Sequence, residues 1–266
     1  MLRGASAEAQ TELISQLESS QGGDTAKLGE ELFGVATVFR GEPALRRIVT
    51  DASIEPAAKA DLVGNVFGNA LGENALELVK TAVTQRWTGS RDLADVIENL
   101  GVVASVRSAG NDGPRISDEL FEVRQLIDGA AGLRSALSDP SRSGADKVAL
   151  LRGLFGGKVL PATLLLLEQA SSGTHGAIDG ALEDFQHSAA NAMGEKIATV
   201  HTARELSGSD RERLAEALGA QYDTSIHLQV IVDPDVIGGL RVEIGDDVID
   251  GTVANRLEDA QRRLVG

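Results

Sequence analysis

The chain contains an internal repeat with an offset of 88 residues. Without a gap, residues 28–78 align with residues 116–166, and sixteen of these fifty-one positions are identical. A composition rich in Ala, Gly and Leu gives about four identities by chance. The matched positions include Glu31-Leu32-Phe33 with Glu119-Leu120-Phe121, Leu45-Arg46 with Leu133-Arg134, Asp51 with Asp139, Lys59 with Lys147, and Phe67-Gly68 with Phe155-Gly156. We therefore expect two copies of one structural unit.

Both copies show the periodicity of amphipathic helices. The apolar faces consist of Leu28, Leu32, Val35 and Phe39 in the first copy and Leu120, Val123 and Ile127 in the second. Pro opens but does not continue a helix, and Gly often follows its end, so these residues mark boundaries. Helices are predicted near 5–20, 26–40, 43–50, 56–67, 73–86 and 90–108, then 117–128, 131–138, 144–155, 161–171 and 176–194. The helix over 93–106 is expected to serve both copies, because it closes the first and aligns with its opening helix.

The last seventy residues have a different pattern, with alternating apolar positions typical of half-buried strands. A strand is predicted over 196–203, and Ser209 with Glu212 fits a capping box at the start of a helix. Two further strands, 226–232 and 240–244, flank a segment with Pro234 and two glycines. Because Pro fixes one backbone torsion and Gly permits positive ones, these two strands are predicted to form a hairpin with a longer loop.

The chain after the second of these strands is predicted to turn and become helical. A run of turn residues is expected to end the strand: Asp246, Asp247, Asp250 and Gly251. An apolar stripe follows at helical spacing: Val253, Leu257, Ala260 and Leu264. The predicted fold is mainly α: two tandem helical bundles, followed by a small α/β domain with a β-hairpin and a terminal helix. The predicted domains are 1–110, 111–195 and 196–266.

Composition restricts the partners. The formal net charge of −15 argues against nucleic acid and anionic lipid, since both need a clustered excess of Lys and Arg. The absence of cysteine excludes disulfides and cysteine ligands. The first residues lack the apolar core of a signal peptide. The longest apolar stretch, 159–167, contains Pro161 and is far shorter than the roughly 20 residues that span a bilayer, so no membrane span is expected.

Motifs for catalysis and ligand binding are incomplete. The segment 153–159 resembles a phosphate-binding loop, but Arg152 and Val159 stand at two required positions, which favours a helix-ending turn. The segment 246–258 resembles a calcium loop, but Val248 and Leu257 replace two oxygen ligands. Four widely spaced histidines form no metal-ligand motif: His175, His187, His201 and His227. No catalytic, cofactor-binding or metal-binding residue is therefore predicted.

Two apolar features have two interpretations each. Trp87, expected late on a helix of the first copy, is either an interface anchor or, more commonly for a large aromatic, part of the core. Leu164–Leu167 is apolar on every side of its predicted helix. It fits either a central core helix or a groove for a partner helix.

The motifs resemble those of a known family. Residues 230–264, with Asp233-Pro234-Asp235 and Gly238-Gly239, closely resemble the carboxyl-terminal signature of the ATP synthase delta subunit, which is similar to the mitochondrial oligomycin sensitivity conferral protein. Asp139-Pro140 followed by the segment around Lys147 resembles the family's amino-terminal helical domain. The family-like pattern covers about residues 116–266, and the chain departs from the common form by a duplicated bundle.

The resemblance implies a stator subunit with no catalytic residue and no cofactor. Its implied partners are the amino-terminal helices of the alpha subunits and the carboxyl-terminal region of the b subunit. Its implied location is peripheral, on the cytoplasmic side of the cell membrane. Two alternatives remain open: a helical adaptor of another complex, and a small enzyme with Asp233, Asp235, Asp246 and Asp250 as candidate acid-base groups.

Overall fold

The computed structural model describes residues 2–19, 24–172, 177–234 and 236–253. The chain divides into two compact units, Met1–Ala189 and Ala190–Gly266. The first is helical and contains both copies of the repeat. The second contains a small mixed sheet with a helix. The predicted fold class is thereby confirmed.

The helices agree with the predicted positions to within four residues at each end. They are α1 Ala5–Ser19, α2 Thr25–Gly41, α3 Pro43–Thr50, α4 Pro56–Phe67, α5 Glu73–Thr84, α6 Asp92–Ser108, α7 Gly113–Gly129, α8 Ala131–Ser138, α9 Gly144–Phe155, α10 Pro161–Ser171 and α11 Ile178–Ala192. Shifted by 88 residues, α2, α3 and α4 coincide with α7, α8 and α9. None of the described helices is long and apolar enough to cross a membrane.

Local sequence explains where several helices start. Proline occupies the first turn of α3, α4 and α10, where its missing N–H has no helical partner. The Asp24 carboxylate accepts hydrogen bonds from the backbone N–H groups of Ala26 and Lys27 at the start of α2. Ser143 caps α9 in the same way by accepting from the N–H of Asp146. Such caps satisfy donors that a helix start leaves unpaired.

Helix α6 lies at the centre of the helical unit. Twelve of its residues are buried: Leu93, Ala94, Val96, Ile97, Glu98, Leu100, Gly101, Val102, Val103, Ala104, Ser105 and Val106. A helix that is apolar on nearly every side is surrounded by other elements. Helix α6 packs against α1, α2 and α5 of the first repeat and against α7 and α10 of the second. The expectation that this helix serves both repeats matches its contacts.

The second unit corrects one predicted strand pairing. Its sheet has the order β2-β1-β3-β4, with β1 Glu195–Thr202, β2 Ser225–Val232, β3 Leu240–Ile244 and β4 Asp247–Asp250. The predicted hairpin between 226–232 and 240–244 is wrong, because β1 lies between β2 and β3 and pairs with both. Helix α12, Gly208–Tyr222, connects β1 to β2, which pair in parallel. Alternation indicates which face of a strand is buried but not which strand lies beside it.

The hairpin of this unit is formed by the next two strands. Strands β3 and β4 pair antiparallel around a turn in which Gly245 has a φ of 57°. The residues Asp247 and Asp250, predicted to end the strand, are the first and last residues of β4. The predicted terminal helix, including Leu257, Ala260 and Leu264, lies outside the described residues.

The start of α12 differs by two residues from the prediction. Ser207, not Ser209, is the N-cap, and its hydroxyl oxygen accepts a hydrogen bond from the N–H of Asp210. The Ser207 hydroxyl in turn donates to the Asp210 carboxylate at 2.7 Å. Both serines lie three residues before an acidic residue, so the pattern alone did not select between them. The core between α12 and the sheet consists of Leu218 from the helix and of Ala198, Val200, Val242 and Ile244 from the strands.

Candidate interaction sites

The repeats share partly buried hydrogen bonds as well as sequence. In the first repeat, the Glu31 carboxylate accepts the backbone N–H of Gly72, the residue before α5, with both oxygens at 3.1 Å. In the second, the Glu119 carboxylate accepts the N–H of Leu160, the residue before α10, at 2.8 Å. These residues are related by the 88-residue offset. Each repeat therefore caps its fifth helix with a glutamate from its second.

The turn between the third and fourth helix is also shared. Asp51 Oδ1 accepts from the Ser53 hydroxyl at 2.7 Å and from its backbone N–H at 2.8 Å. Asp139 makes the same two bonds with Ser141, at the same distances. The bonds from the serine hydroxyl and N–H lower the pKa of both aspartates. The two aspartates thus act locally, as turn formers.

The repeats differ at the end of their second helix. Arg40 in α2 binds Glu98 through two parallel hydrogen bonds of 2.7 and 2.8 Å and binds Asp95 at 2.8 Å. Burial alone lowers the pKa of Arg40, but the bonds to Glu98 and Asp95 raise it above its ordinary value. In the second repeat Asp128 takes the place of Arg40. The ion pair with α6 is therefore specific to the first repeat.

Glu98 also reaches the second repeat. Its carboxylate accepts a 2.6 Å hydrogen bond from the side-chain amide of Gln169 in α10. The side chain of Glu98 is only 4% exposed, and Arg40 is 18% exposed. A buried charge needs such complete pairing, since removing one partner leaves the other charge unsolvated. Sequence reasoning missed these residues; the available signal was an acidic residue inside an apolar helical run.

The second unit contains an open groove. The groove has a volume of about 1010 Å³ and lies between α12, the end of β1 and the start of β3. Its lining includes Leu206, Leu214, Ala217 and Leu240 as apolar residues and Arg204, Asp210, Arg213 and Glu216 as charged ones. Apolar area flanked by both signs of charge suits an amphipathic helix.

The signature glycines hold one end of this groove. Gly238 and Gly239 have φ values of 64° and 78°, which side chains with a Cβ rarely adopt. A Cβ on Gly239 would lie 2.4 Å from the carbonyl oxygen of Gly251. The Gly251 N–H donates to the Leu240 carbonyl at 2.9 Å, and the Val253 N–H donates to that of Gly238 at 3.2 Å. The glycines therefore permit a close backbone crossing between the segments before β3 and after β4.

Of the candidate acid-base carboxylates, Asp250 has a local structural role. Asp250 Oδ1 accepts from the Thr252 hydroxyl at 2.7 Å and from its N–H at 2.9 Å, which lowers the pKa of Asp250. The Asp233 backbone N–H donates to the Thr202 carbonyl at 2.8 Å, which extends the pairing of β1 and β2 by one residue. Asp246 lies in the turn before β4, and Asp235 lies outside the described residues. A carboxylate with a lowered pKa is ionised at neutral pH, so Asp250 is a poor general acid.

The remaining motifs resolve as local structure. Segment 153–159 is the end of α9 and a turn: the Gly156 N–H donates to the Arg152 carbonyl, and Gly157 has a φ of 71°. The predicted helix-ending turn is thus confirmed. The Nδ1 atom of His227 lies 3.5 Å from Glu195 Oε2 across the β1–β2 pair. His175 is outside the described residues. No group of acidic and histidine residues that could hold a metal ion occurs in the described part of the chain.

The two apolar features have separate outcomes. Trp87 is half-buried and lies after the end of α5, not on it; its indole N–H donates to the Ala82 carbonyl at 3.0 Å. In α10, Leu166 and Leu167 are fully buried, whereas Leu164 and Leu165 are half-buried. The helix packs against α9, α6, α7 and α2, which agrees with the core interpretation.

Comparison with known proteins identifies the family. Residues 102–264 match the family model described as ATP synthase delta (OSCP) subunit. An ATP synthase subunit delta from Nocardioides sp. is 50% identical over 100% of this chain and 98% of its own. Those from Kineococcus radiotolerans and Streptomyces avermitilis are 39% and 37% identical, each over 98% of this chain, with 95% and 98% of their own lengths covered. A chain of the Toxoplasma gondii mitochondrial ATP synthase hexamer is 20% identical, with a TM-score of 0.37, over 62% of this chain and 95% of that one.

A mainly helical protein with a small α/β unit is the class that the fold defines. The chain belongs to the ATP synthase delta (OSCP) subunit family. Members of this family are structural subunits of the stator and not catalytic ones. The matched residues include the second repeat and the unit with the signature glycines.

Proposed function

We propose that this chain is the delta subunit in the peripheral stalk of a proton-translocating ATP synthase, on the cytoplasmic side of the cell membrane. The observation that carries this proposal is the 50% identity with a delta subunit over the whole chain. The subunit links the catalytic head to the membrane-anchored b subunit, so that the head does not turn with the rotor. No step of this task requires a reacting side chain.

The two units divide the task. The helical repeats, 1–110 and 111–195, bind the amino-terminal helices of the alpha subunits, and 196–266 binds the carboxyl-terminal region of the b subunit. The helical surfaces of the repeats support the assignment of the alpha subunits to them, because such surfaces bind amphipathic helices through apolar contact. A large summed interface spreads the rotor torque over many contacts.

The groove beside α12 is the proposed site for the b subunit. Its apolar residues, such as Leu214 and Leu240, can cover the apolar face of a helix. Charged residues can pair with charges along the edges of that helix. Acidic side chains of the helix would face Arg204 and Arg213, and basic ones would face Asp210 and Glu216. Ala217 is exposed and lines the groove, so a large side chain there obstructs it without entering the core.

A matched pair of substitutions tests the groove. Isothermal titration of a peptide of the b carboxyl-terminal region into the full chain should show binding that Ala217→Arg weakens at least tenfold. Ala220→Arg is the control, because Ala220 is exposed on the same helix but does not line the groove. Equal weakening by both substitutions, or by neither, would exclude this groove as the site.

A second titration tests the link to the head. A peptide of the alpha subunit's amino-terminal helix should bind the full chain with an affinity that Ala217→Arg leaves unchanged. If neither peptide binds the folded chain, the stator proposal fails and a helical adaptor of another complex takes its place. Binding of the alpha peptide alone would retain the family assignment and reject only the assignment of the b site.

A further inference from the structure

Two adjacent polar side chains at the middle of α6 hold helices from both repeats. Glu98 binds Arg40 of α2 in the first repeat and Gln169 of α10 in the second. Asn99 accepts a 3.0 Å hydrogen bond from Gln10 of α1 through its carbonyl oxygen. Its amide donates a 2.7 Å bond to the Ser188 hydroxyl of α11. Each of the two residues therefore joins one helix of each repeat to the shared helix.

Close packing also joins the helices of the two repeats. Phe33 of α2 stacks on Phe185 of α11 at a centroid distance of 6.5 Å, which brings the two repeats into direct contact. Gly29 of α2 lies so close to α6 that a Cβ there would be 2.5 Å from the Ser105 hydroxyl. Side chains packed to this density have no room to slide, so relative movement of the repeats requires these bonds to break.

We propose that Glu98 and Asn99 form a clamp that makes the two repeats one cooperative and mechanically continuous body. The clamp consists of these two residues with Arg40, Gln10, Gln169 and Ser188. Neither repeat opens alone, because α6 is the closing helix of the first and the opening helix of the second. This goes beyond the proposed function and holds for whichever partners the chain binds.

The test removes only the two hydrogen bonds that Glu98 and Asn99 make to the second repeat. The double variant Gln169→Leu/Ser188→Ala removes both donor and acceptor on that side and leaves Arg40–Glu98 and Gln10–Asn99 in place. Urea unfolding of the full chain is followed by two probes. Fluorescence of Trp87, the only tryptophan, reports the first repeat, and hydrogen exchange of peptides from α8 and α9 reports the second.

In the unaltered chain we expect the two probes to report the same urea midpoint of unfolding and the same dependence of the unfolding free energy on urea concentration. In the double variant the second repeat should open first, with the two midpoints separated by about 1 M urea, given the usual values of hydrogen bonds and denaturant slopes. Arg152→Met is the control, because it removes the Arg152–Glu168 pair inside the second repeat and should shift both midpoints together.

Two results would overturn the clamp. Separate midpoints in the unaltered chain would mean that the repeats are independent. Coincident midpoints in the double variant, with or without a common loss of stability, would mean that apolar packing alone joins the repeats. If the double variant does not fold, Ser188→Ala alone cuts one bond and should give a smaller separation in the same direction.

Discussion

Gly101 of α6 lies directly beneath the ring of Phe33 of α2, where a Cβ would be 2.6 Å from the nearest ring carbon. The absence of a side chain at this position lets the two helices approach closely. Gly101→Ala should therefore destabilise the helical unit by about 1–3 kcal/mol, the usual cost of overpacking a core. Chemical unfolding monitored by Trp87 fluorescence measures the change.

Gly34 supplies the control for that prediction. It is exposed on α2, and nothing lies within 4 Å of a Cβ placed there. Gly34→Ala should stabilise the chain by about 0.5–1 kcal/mol, because alanine restricts the unfolded chain and favours helix. Equal effects of the two alanines would show that the Phe33 contact carries no strain.

The glutamate caps predict unequal losses in the two repeats. Glu119 is buried, binds both the Leu160 N–H and the Thr163 hydroxyl, and pairs with Arg115 at 2.9 Å. Glu31 binds the Gly72 N–H and has a longer contact of 3.6 Å with the exposed Lys27. Glu119→Ala should cost about 2–3 kcal/mol of unfolding free energy and Glu31→Ala about 1 kcal/mol, since bonds to charged groups are the stronger ones when buried. Thermal or urea unfolding of the full chain compares them. A larger loss for Glu31→Ala would contradict this ranking.

The aspartate turns predict a dependence on acid. Because Ser141 lowers the folded-state pKa of Asp139 below its unfolded value, the ionised carboxylate stabilises the chain above the unfolded pKa. This contribution is lost as the pH falls through the folded pKa, below about pH 4. Ser141→Ala should raise the pKa of Asp139 toward its ordinary value and weaken the acid dependence. Carbonyl NMR titration measures the pKa, and Ser138→Ala, on the neighbouring helix end, should leave it unchanged.

The signature glycines predict a loss confined to the second unit. Gly239→Ala combines a positive φ with a Cβ 2.4 Å from the Gly251 carbonyl oxygen, so it should lower the stability of this unit by several kcal/mol. Gly194 has a φ of 72° with no atom near a Cβ, so Gly194→Ala isolates the backbone strain alone, about 1 kcal/mol. Amide exchange in β1 and β3 reports the second unit. Equal losses would mean that the crossing with Gly251 can relax.

The helices could be predicted because their boundaries are encoded locally. Pro43, Pro56 and Pro161 each open a helix, and the bounds of α2, α3 and α4 recur in α7, α8 and α9 at the 88-residue offset. The partner of β2 could not be predicted, because the alternation at Leu228 and Val230 is satisfied by any neighbouring strand. The contacts of Glu98 could not be predicted either. They depend on how three helices cross, and no local pattern encodes a pairing between residues 40, 98 and 169.

The apolar character of α6 bears on how such a chain can grow. Because one helix closes the first bundle and opens the second, an 88-residue insertion adds five helices and yet completes a second set of six. Val96 is buried in α6, but its counterpart in α11, Asp184, is exposed. Helix α11, the last of the second repeat, thus keeps a polar exposed face, as end repeats do in stacked arrays. Exchanging that face for an apolar one is the change that a third copy of the bundle requires.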